Sequence, residues 1–249
     1  MTEPLHLDIL PQPDDATCGP TCLHAVYRYF GDDIRLEQVI ESTPMLTDGG
    51  TLAVLLGSLF FHDPAHTEIY TFNLHVFDPT WFVNSADLVP RLQAQMAAKN
   101  SPKLRSACEA YIDFLQQGGV IKMQDLTAKL LRGYLKRSIP VLTGLSATHL
   151  YQCERENDVD WEPDDIRGVP AGHFVVLSGY NKQQRTVHVA DPYLPNPLGE
   201  QHHYEVTLDR LVCAILLGVL TYDANLLVIE PTRRSAAEQR KSSAAPSLT

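Results

Sequence analysis

The stretch QPDDATCGPTC, from Gln12 to Cys22, constrains the fold more than any other part of this chain of 249 residues. It places Cys18 where an extended segment gives way to a helical pattern that runs to Phe30. The unpaired backbone N–H groups of a first helical turn, and the positive end of the helix dipole, favour an ionised sulfur at such a position. The thiolate is the nucleophilic form of cysteine. We therefore expect Cys18 to be a catalytic nucleophile.

A nucleophilic cysteine needs a base, and the base needs a group that orients it. Two apolar, β-branched runs, GHFVVLSGY at 172–180 and TVHVADP at 186–192, predict strands. The polar connection between them is short, so we expect an antiparallel hairpin. His173 lies at the start of one strand and Asp191 at the end of the other. The pattern therefore predicts that an imidazole and a carboxylate are close neighbours.

These elements, in this order and spacing, resemble those of a known family. A glutamine, five residues, Cys-Gly, then HFVVLSGY and Asp-Pro are similar to the papain-like cysteine peptidases. More closely, the chain resembles the bacteriocin-processing, double-glycine leader peptidases and their stand-alone relatives. The resemblance covers roughly residues 8–60 and 138–230, with a helical region between them.

The resemblance implies a role for each of four residues. Cys18 would be the nucleophile, and His173 the general base and then the general acid. Asp191 would hold the imidazole, and the side chain of Gln12 would help to line the oxyanion hole. The implied fold is papain-like and of the α+β class, in which a helical half carries the nucleophile, an antiparallel sheet half carries the histidine and the aspartate, and the cleft lies between them.

Several glycines are candidates for contact with a substrate, because glycine lets another backbone come close. The sequence TDGGT at 47–51 predicts a turn before a helix at 52–61, and the resemblance implies that a Gly-Thr turn lies near the cleft. A tight turn without a functional role is the alternative. The candidate substrate-binding residues are Gly19, Gly49, Gly50, Thr51 and Gly172.

Charge and cysteine content narrow the class of protein. The chain has 30 acidic and 20 basic residues and a net charge of −10, which argues against a surface for nucleic acid or anionic membrane. Five scattered cysteines indicate a reducing compartment. The N-terminus lacks a signal-peptide pattern, and the longest apolar run, 211–220, is too short to cross a bilayer. We expect a soluble, cytoplasmic protein that needs no metal or cofactor.

The pattern along the chain predicts one domain over residues 1–231 and a disordered tail over 232–249, which is rich in Ser and Ala. A helical insertion occupies about 86–137, with helices expected at 86–99, 103–117 and 123–137. Outside the hairpin, we expect strands at 5–10, 68–76, 139–145, 202–208 and 225–229.

Other interpretations of these residues remain open. Cys18 could be an ordinary core residue, since free cysteines are often buried, but the placement of Gln12 favours the nucleophile. Cys22, one helical turn later, is expected to pack inward. Three residues separate the two cysteines, which does not match the Cys-x-x-Cys of a redox motif.

Ten histidines and an acidic segment supply further candidates. The rivals to His173 are His149, His188, His202 and His203. Adjacent strand residues face opposite ways, so the last two are poorly placed to share a metal ion, and His188 is expected to face solvent. Segment 154–165 carries seven acidic residues. It predicts either a solvated loop or an acidic rim that steers the amino terminus or basic side chains of a peptide.

The function that the sequence predicts best is a cysteine hydrolase that cleaves a peptide or amide bond. The same acyl-enzyme could instead be attacked by an amine or a thiol, as in acyltransferases of the transglutaminase or phytochelatin-synthase type. A third alternative is a module that binds a peptide in a papain-like cleft without cutting it. The identity of the substrate and the oligomeric state stay open.

Overall fold

The computed structural model describes residues 4–46, 49–59, 66–157 and 161–230. The strands in these residues are β1 (Thr67–Thr71), β2 (Val120–Lys122), β3 (Val141–Ser146), β4 (Gly172–Asn181), β5 (Thr186–Ala190), β6 (His203–Thr207) and β7 (Asn225–Ile229). They form one sheet in the order β2-β1-β7-β3-β4-β5-β6. The helices are α1 (Cys18–Tyr29), α2 (Leu36–Ser42), α3 (Ala53–Gly57), α4 (Pro79–Val83), α5 (Leu88–Ala98), α6 (Pro102–Gln116), α7 (Ala128–Leu135), α8 (Ala147–Tyr151) and α9 (Leu208–Leu217). The expected α+β class is confirmed.

Strand β4 is covered by helices on both of its faces. Phe174 and Val176 belong to an apolar cluster that includes side chains of α1, α3 and α6. Val175 and Leu177 belong to a second cluster, with side chains of α7, α8 and α9. Because neither face meets water, the strand is an almost continuous apolar run and does not alternate with polar residues.

The hairpin expected between residues 172 and 192 is present. β4 and β5 pair antiparallel, with Val176 opposite Ala190 and Tyr180 opposite Val187. This register brings the start of β4 level with the residues that follow β5. β3 pairs with the other edge of β4 and sets Leu145 opposite His173. The strand expected at 139–145 therefore does lie in the sheet that carries the histidine.

Helix α1 starts at Cys18, and the turn before it is held by Asp14. The backbone N–H of Ala16 donates to Asp14 Oδ1 over 2.9 Å, and Thr17 Oγ1 donates to Asp14 O over 3.1 Å. Such Asx turns favour the entry to a helix. Every residue from Cys18 to Tyr27 is buried, so the helix that carries the sulfur is enclosed by the rest of the protein.

The helical insertion contains a strand that the sequence pattern does not indicate. β2 pairs in parallel with β1, so the sheet is not antiparallel throughout. The helix expected from residue 123 begins only at Ala128, where Thr127 Oγ1 accepts a hydrogen bond from Leu130 N over 3.2 Å. An edge strand of three residues is too short to carry a periodic signal.

Other expected elements are shorter than predicted. The strand expected at 68–76 ends at Thr71, because Asn73 Oδ1 accepts a hydrogen bond from His75 N over 3.0 Å and turns the chain. Residues 5–10 form no strand, although Leu5 N donates to Ser178 O over 2.8 Å.

Part of the expected organisation falls beyond what the structure describes. The second half of the helix expected at 52–61, the domain boundary at 231 and the tail at 232–249 lie partly or wholly outside the described residues. Among the helices that are described, none combines the length and the apolarity that a membrane crossing requires.

Leu177→Ala tests whether the sheet is held by its covered faces. The side chain is fully buried between β4 and the helices of the second cluster, so its removal should lower the free energy of unfolding by about 2–5 kcal/mol. Leu74→Ala is the control, since Leu74 is 65% exposed and its loss should cost less than about 0.5 kcal/mol. Denaturant unfolding monitored by circular dichroism measures both, and equal losses would contradict the arrangement.

Candidate active site

His173 and Asp191 are in direct contact. His173 Nε2 lies 2.8 Å from Asp191 Oδ1, and the exposed fractions of the two residues are 7% and 0%. The β4–β5 register produces this contact, because it brings the first residues of one strand alongside the residue that follows the other. The imidazole and the carboxylate that the sequence pattern places side by side are therefore in contact in the structure.

Cys18 completes a chain of three side chains. The side chain of Cys18 lies close enough to the imidazole of His173 to help raise its pKa, together with Asp191. Since Nε2 is directed at the carboxylate, Nδ1 is the ring nitrogen left for the sulfur. Cys18 is 8% exposed and is the first residue of α1, where the helix dipole favours negative charge.

The histidine and the aspartate are both biased towards their charged forms. Burial alone would lower the pKa of His173, but the carboxylate of Asp191 and the side chain of Cys18 outweigh it and raise that pKa to about 10. Burial would raise the pKa of Asp191, but the imidazolium of His173 and the hydrogen bonds to the carboxylate keep it below its usual value. At neutral pH the two side chains form a buried ion pair.

The second oxygen of Asp191 is held by two tyrosines that sequence reasoning did not single out. Tyr151 Oη donates to Asp191 Oδ2 over 2.7 Å, and Tyr204 Oη donates to the same oxygen over 2.6 Å. The backbone N–H of Tyr193 donates to Oδ1 over 2.9 Å. Tyr204 could have been noticed as a strand residue paired with Val189 near the end of β5. Tyr151 has no comparable signal in the sequence.

Gln12 lies against the loop that carries the aspartate. Its backbone N–H donates to Pro192 O over 2.9 Å, which ties the segment before Cys18 to the residue after Asp191. Its side-chain Nε2 donates to Asp14 O over 2.9 Å. Because an amide group has two N–H bonds, one remains for another acceptor. Gln12 Oε1 is buried and has no hydrogen-bond partner among the described residues.

The glycine turn packs its last residue against the start of α1. Gly49 and Gly50 have φ values of +87° and +73°, which glycine adopts readily, and no atom lies within 4 Å of the position that a Cβ would take at either. Thr51 is buried and donates from Oγ1 to Pro44 O over 2.9 Å. A Cβ on Gly19 would lie only 2.8 Å from Thr51 Cγ2. The close approach at Gly19 is thus made by the chain's own side chains.

Gly172 makes room for a buried acid. A Cβ at this position would lie 2.4 Å from Asp223 Oδ2, and Thr221 Oγ1 donates to that oxygen over 2.6 Å. Burial raises the pKa of Asp223 to about 7, although Thr221, Lys103 and His173 all act to lower it. The residue before the histidine therefore faces a carboxyl group whose charge changes near neutral pH.

The other thiol of α1 points inward, as expected. Cys22 Sγ donates to Phe174 O over 3.2 Å, and burial raises the pKa of Cys22 well above its usual value. A buried thiol with a raised pKa is a poor nucleophile.

Two of the rival histidines, His188 and His202, have other partners. His188 does not face open solvent, since its Nδ1 lies 3.3 Å from Glu205 Oε1 and its side chain is 23% exposed. His202 Nδ1 lies 2.6 Å from Asp191 O, where it supports the backbone of the aspartate. Over the described ranges, no group of three or more His, Cys, Asp and Glu side chains is placed to hold a metal ion.

The described part of the acidic segment contains a turn held by Asp164. Asp164 accepts hydrogen bonds from the backbone N–H groups of residues 166 and 167 and pairs with Arg167 Nε over 2.6 Å. Glu156 is half-buried, and burial together with Asp15 raises its pKa, while His173 acts to lower it. Residues 158–160 lie outside the described residues. Glu156 therefore lies within electrostatic range of the histidine.

Comparison with known proteins gives a family. The model of the Peptidase_C39 like family matches residues 4–210, a range that includes Gln12, Cys18, His173 and Asp191. The chain is also similar to a solved structure described as a C39-like peptidase from Bacillus anthracis, with 13% sequence identity and a TM-score of 0.47, over 92% of this chain and 96% of that chain. No curated protein matches the sequence.

Gly19→Ala tests the packing between α1 and the glycine turn. The added Cβ would meet Thr51 Cγ2 at 2.8 Å and Phe174 Cδ2 at 3.2 Å, so the free energy of unfolding should fall by about 1–3 kcal/mol. Thr51→Ser in the same chain removes Cγ2 and keeps the hydroxyl, and should restore part of the loss.

Thr51→Ser alone and Gly133→Ala are the controls for this test. Gly133 lies in α7 with nothing within 4 Å of its Cβ position. Alanine there should raise the free energy of unfolding by up to about 1 kcal/mol, because alanine has the higher helix propensity. Denaturant unfolding measures all four variants. Strictly additive effects of Gly19→Ala and Thr51→Ser would contradict the proposed contact.

Proposed function

This chain belongs to the Peptidase_C39 like family and is a cysteine peptidase, and we propose that it cleaves a peptide or amide bond with Cys18 as the nucleophile. The proposal rests on the hydrogen bond between His173 and Asp191 and on the closeness of Cys18, whose side chain helps to raise the pKa of the imidazole. The sulfur lies at a helix start, the imidazole is biased towards its charged form, and the carboxylate is fixed behind the ring. These are the parts that a nucleophilic thiol requires.

In the first half of the reaction, the thiolate of Cys18 attacks the carbonyl carbon of the scissile bond. A C–S bond forms, and the C=O electrons move to the oxygen to give a tetrahedral oxyanion. The imidazolium of His173 then gives its proton to the leaving amine as the C–N bond breaks. The products are a thioester on Cys18 and a free amine.

The oxyanion needs donors that are in place before the reaction. We assign this role to the free N–H of the Gln12 side chain and the backbone N–H of Cys18. The hydrogen bond from Gln12 Nε2 to Asp14 O fixes the orientation of the amide. One donor of this kind is typically worth ~3 kcal/mol of transition-state stabilisation.

In the second half, water attacks the thioester. His173, now neutral, takes a proton from the water as the new C–O bond forms, and the C–S bond then breaks. The carboxylic acid leaves, and the thiolate and imidazolium are restored. Asp191 keeps the same ring nitrogen of His173 directed at the sulfur throughout, and no atom of Asp191 is transferred.

Alkylation by iodoacetamide tests the identity of the nucleophile. Cys153 and Cys213 are exposed free thiols, whereas Cys18 is buried. Accessibility alone predicts that the exposed pair reacts first. An activated thiolate predicts that Cys18 reacts first at pH 6, by about tenfold or more.

Peptide mapping by mass spectrometry measures the order of alkylation, and an internally quenched peptide library measures turnover. Cys18→Ser should abolish turnover, while Cys213→Ser should leave it unchanged. Faster labelling of Cys213 than of Cys18, or full turnover in Cys18→Ser, would refute the assignment. An added amine that appears in a condensed product would instead identify an acyltransferase that works through the same thioester.

Gln12→Ala tests the oxyanion donor. Turnover number should fall by about 10²–10³ while the alkylation rate of Cys18 stays close to that of the parent chain, since the donor acts only on the oxyanion. Gln117→Ala removes an exposed glutamine at the end of α6 and is the matched control. A loss of alkylation rate equal to the loss of turnover would assign Gln12 a structural role instead.

A further inference from the structure

The two oxygens of Asp191 have different partners. Oδ1 faces His173 Nε2 at 2.8 Å and the backbone N–H of Tyr193 at 2.9 Å. Oδ2 receives two tyrosine hydroxyls, from Tyr151 at 2.7 Å and from Tyr204 at 2.6 Å. The hydrogen bonds are therefore divided, with both hydroxyls on Oδ2 and the histidine on Oδ1.

The two hydroxyls reach the carboxylate from separate elements. Tyr151 is the last residue of α8, whose first turn is capped by Ser146 Oγ, and Tyr204 belongs to β6, where it pairs with Val189 of β5. The ring of Tyr151 also lies 6.0 Å from the ring of His173, centroid to centroid. Rotation of the Asp191 side chain would break bonds to both elements at once.

Both tyrosine hydroxyls stay protonated, and so remain hydrogen-bond donors, over the pH range in which a cysteine peptidase works. Burial, together with the negative charge of Asp191, raises the pKa of Tyr151 and of Tyr204 above that of a free phenol. A hydroxyl that stays protonated beside a carboxylate can only donate to it. Hydrogen bonds to the charged form of a buried acid are what keep that acid ionised.

We infer that Tyr151 and Tyr204 are positioning residues for the proposed reaction, which hold Asp191 ionised and turned so that Oδ1 alone serves His173. This inference rests on the proposed function of Cys18, His173 and Asp191. The tyrosines touch neither the sulfur nor the scissile bond in this role. They act through the carboxylate, and the carboxylate acts on the orientation and charge of the imidazole.

The sign of their effect follows from the charge that they stabilise. Removal of a donor to the ionised carboxylate raises the pKa of Asp191, so the carboxyl group takes up a proton at a higher pH. Protonation of Asp191 removes the anion that keeps His173 charged and oriented. The acid limb of the pH–rate profile should therefore move to higher pH, while the Michaelis constant stays unchanged.

The experiment compares Tyr151→Phe, Tyr204→Phe and the double variant with the parent chain. Each keeps the ring and removes one hydroxyl. Turnover of the quenched peptide library is measured from pH 4 to pH 10. We expect the acid limb to rise by about one pH unit for each hydroxyl removed, so that turnover number below the limb falls about tenfold.

The chain offers a matched control in another tyrosine that donates to a carboxylate. Tyr134 Oη donates to Glu68 Oε2 over 2.5 Å at the opposite end of the sheet, in the same apolar cluster as Tyr151. Tyr134→Phe removes an equivalent bond and should leave the acid limb in place. An equal shift in Tyr134→Phe, or no shift in the Tyr151 and Tyr204 variants of an active enzyme, would overturn the inference.

A second measurement separates this inference from the proposed function. In a Cys18→Ala background, the carboxyl carbon of Asp191 is titrated by NMR with and without the two hydroxyls. Its pKa should rise when they are removed, and an unchanged titration would overturn the inference without reference to turnover. A parent chain that cleaves no peptide would refute the proposed function, and this titration would still decide the role of the tyrosines.

Discussion

The buried negative charge of Asp191 is the constraint on which the rest of this structure depends. The carboxylate of Asp191 is fully buried, and such a group is stable only if its oxygens are hydrogen bonded and its charge is paired. Its four donors come from β4, the loop after β5, α8 and β6. The sheet and α8 must therefore assemble before the charge can be buried, and the geometry of the site is a condition of the fold.

Sequence reasoning succeeded where the signal is local. The apolar runs around His173 and Asp191 are bounded by polar residues, and the short connection between them permits only a hairpin, so their proximity could be predicted. The start of α1 at Cys18 could be predicted too, because proline and aspartate before it break the pattern. In both cases, neighbouring residues determine the backbone, and the backbone then positions the side chains of the candidate site.

What could not be predicted depends on contacts between distant residues. The hydroxyls of Tyr151 and Tyr204 both bond to Asp191 Oδ2. Hydrophobic periodicity predicts helices and strands, but it does not show which of their residues will reach a distant carboxylate. The need for glycine at position 19 is set by Thr51, and that at position 172 by Asp223. These requirements are steric and arise only once the elements are packed. A single sequence shows the glycine, but it does not show which distant side chain leaves no room for a Cβ there.

The N-terminal segment is bound to the loop after β5, with Gln12 N hydrogen bonded to Pro192 O. Residues are synthesised in order, so the thiol of Cys18 leaves the ribosome long before β4, β5 and β6 exist. During that interval the sulfur has no imidazole beside it, and the imidazole has no carboxylate. If the proposed function holds, a nascent chain, or one truncated before β4, carries Cys18 without the imidazole and the carboxylate that would activate it.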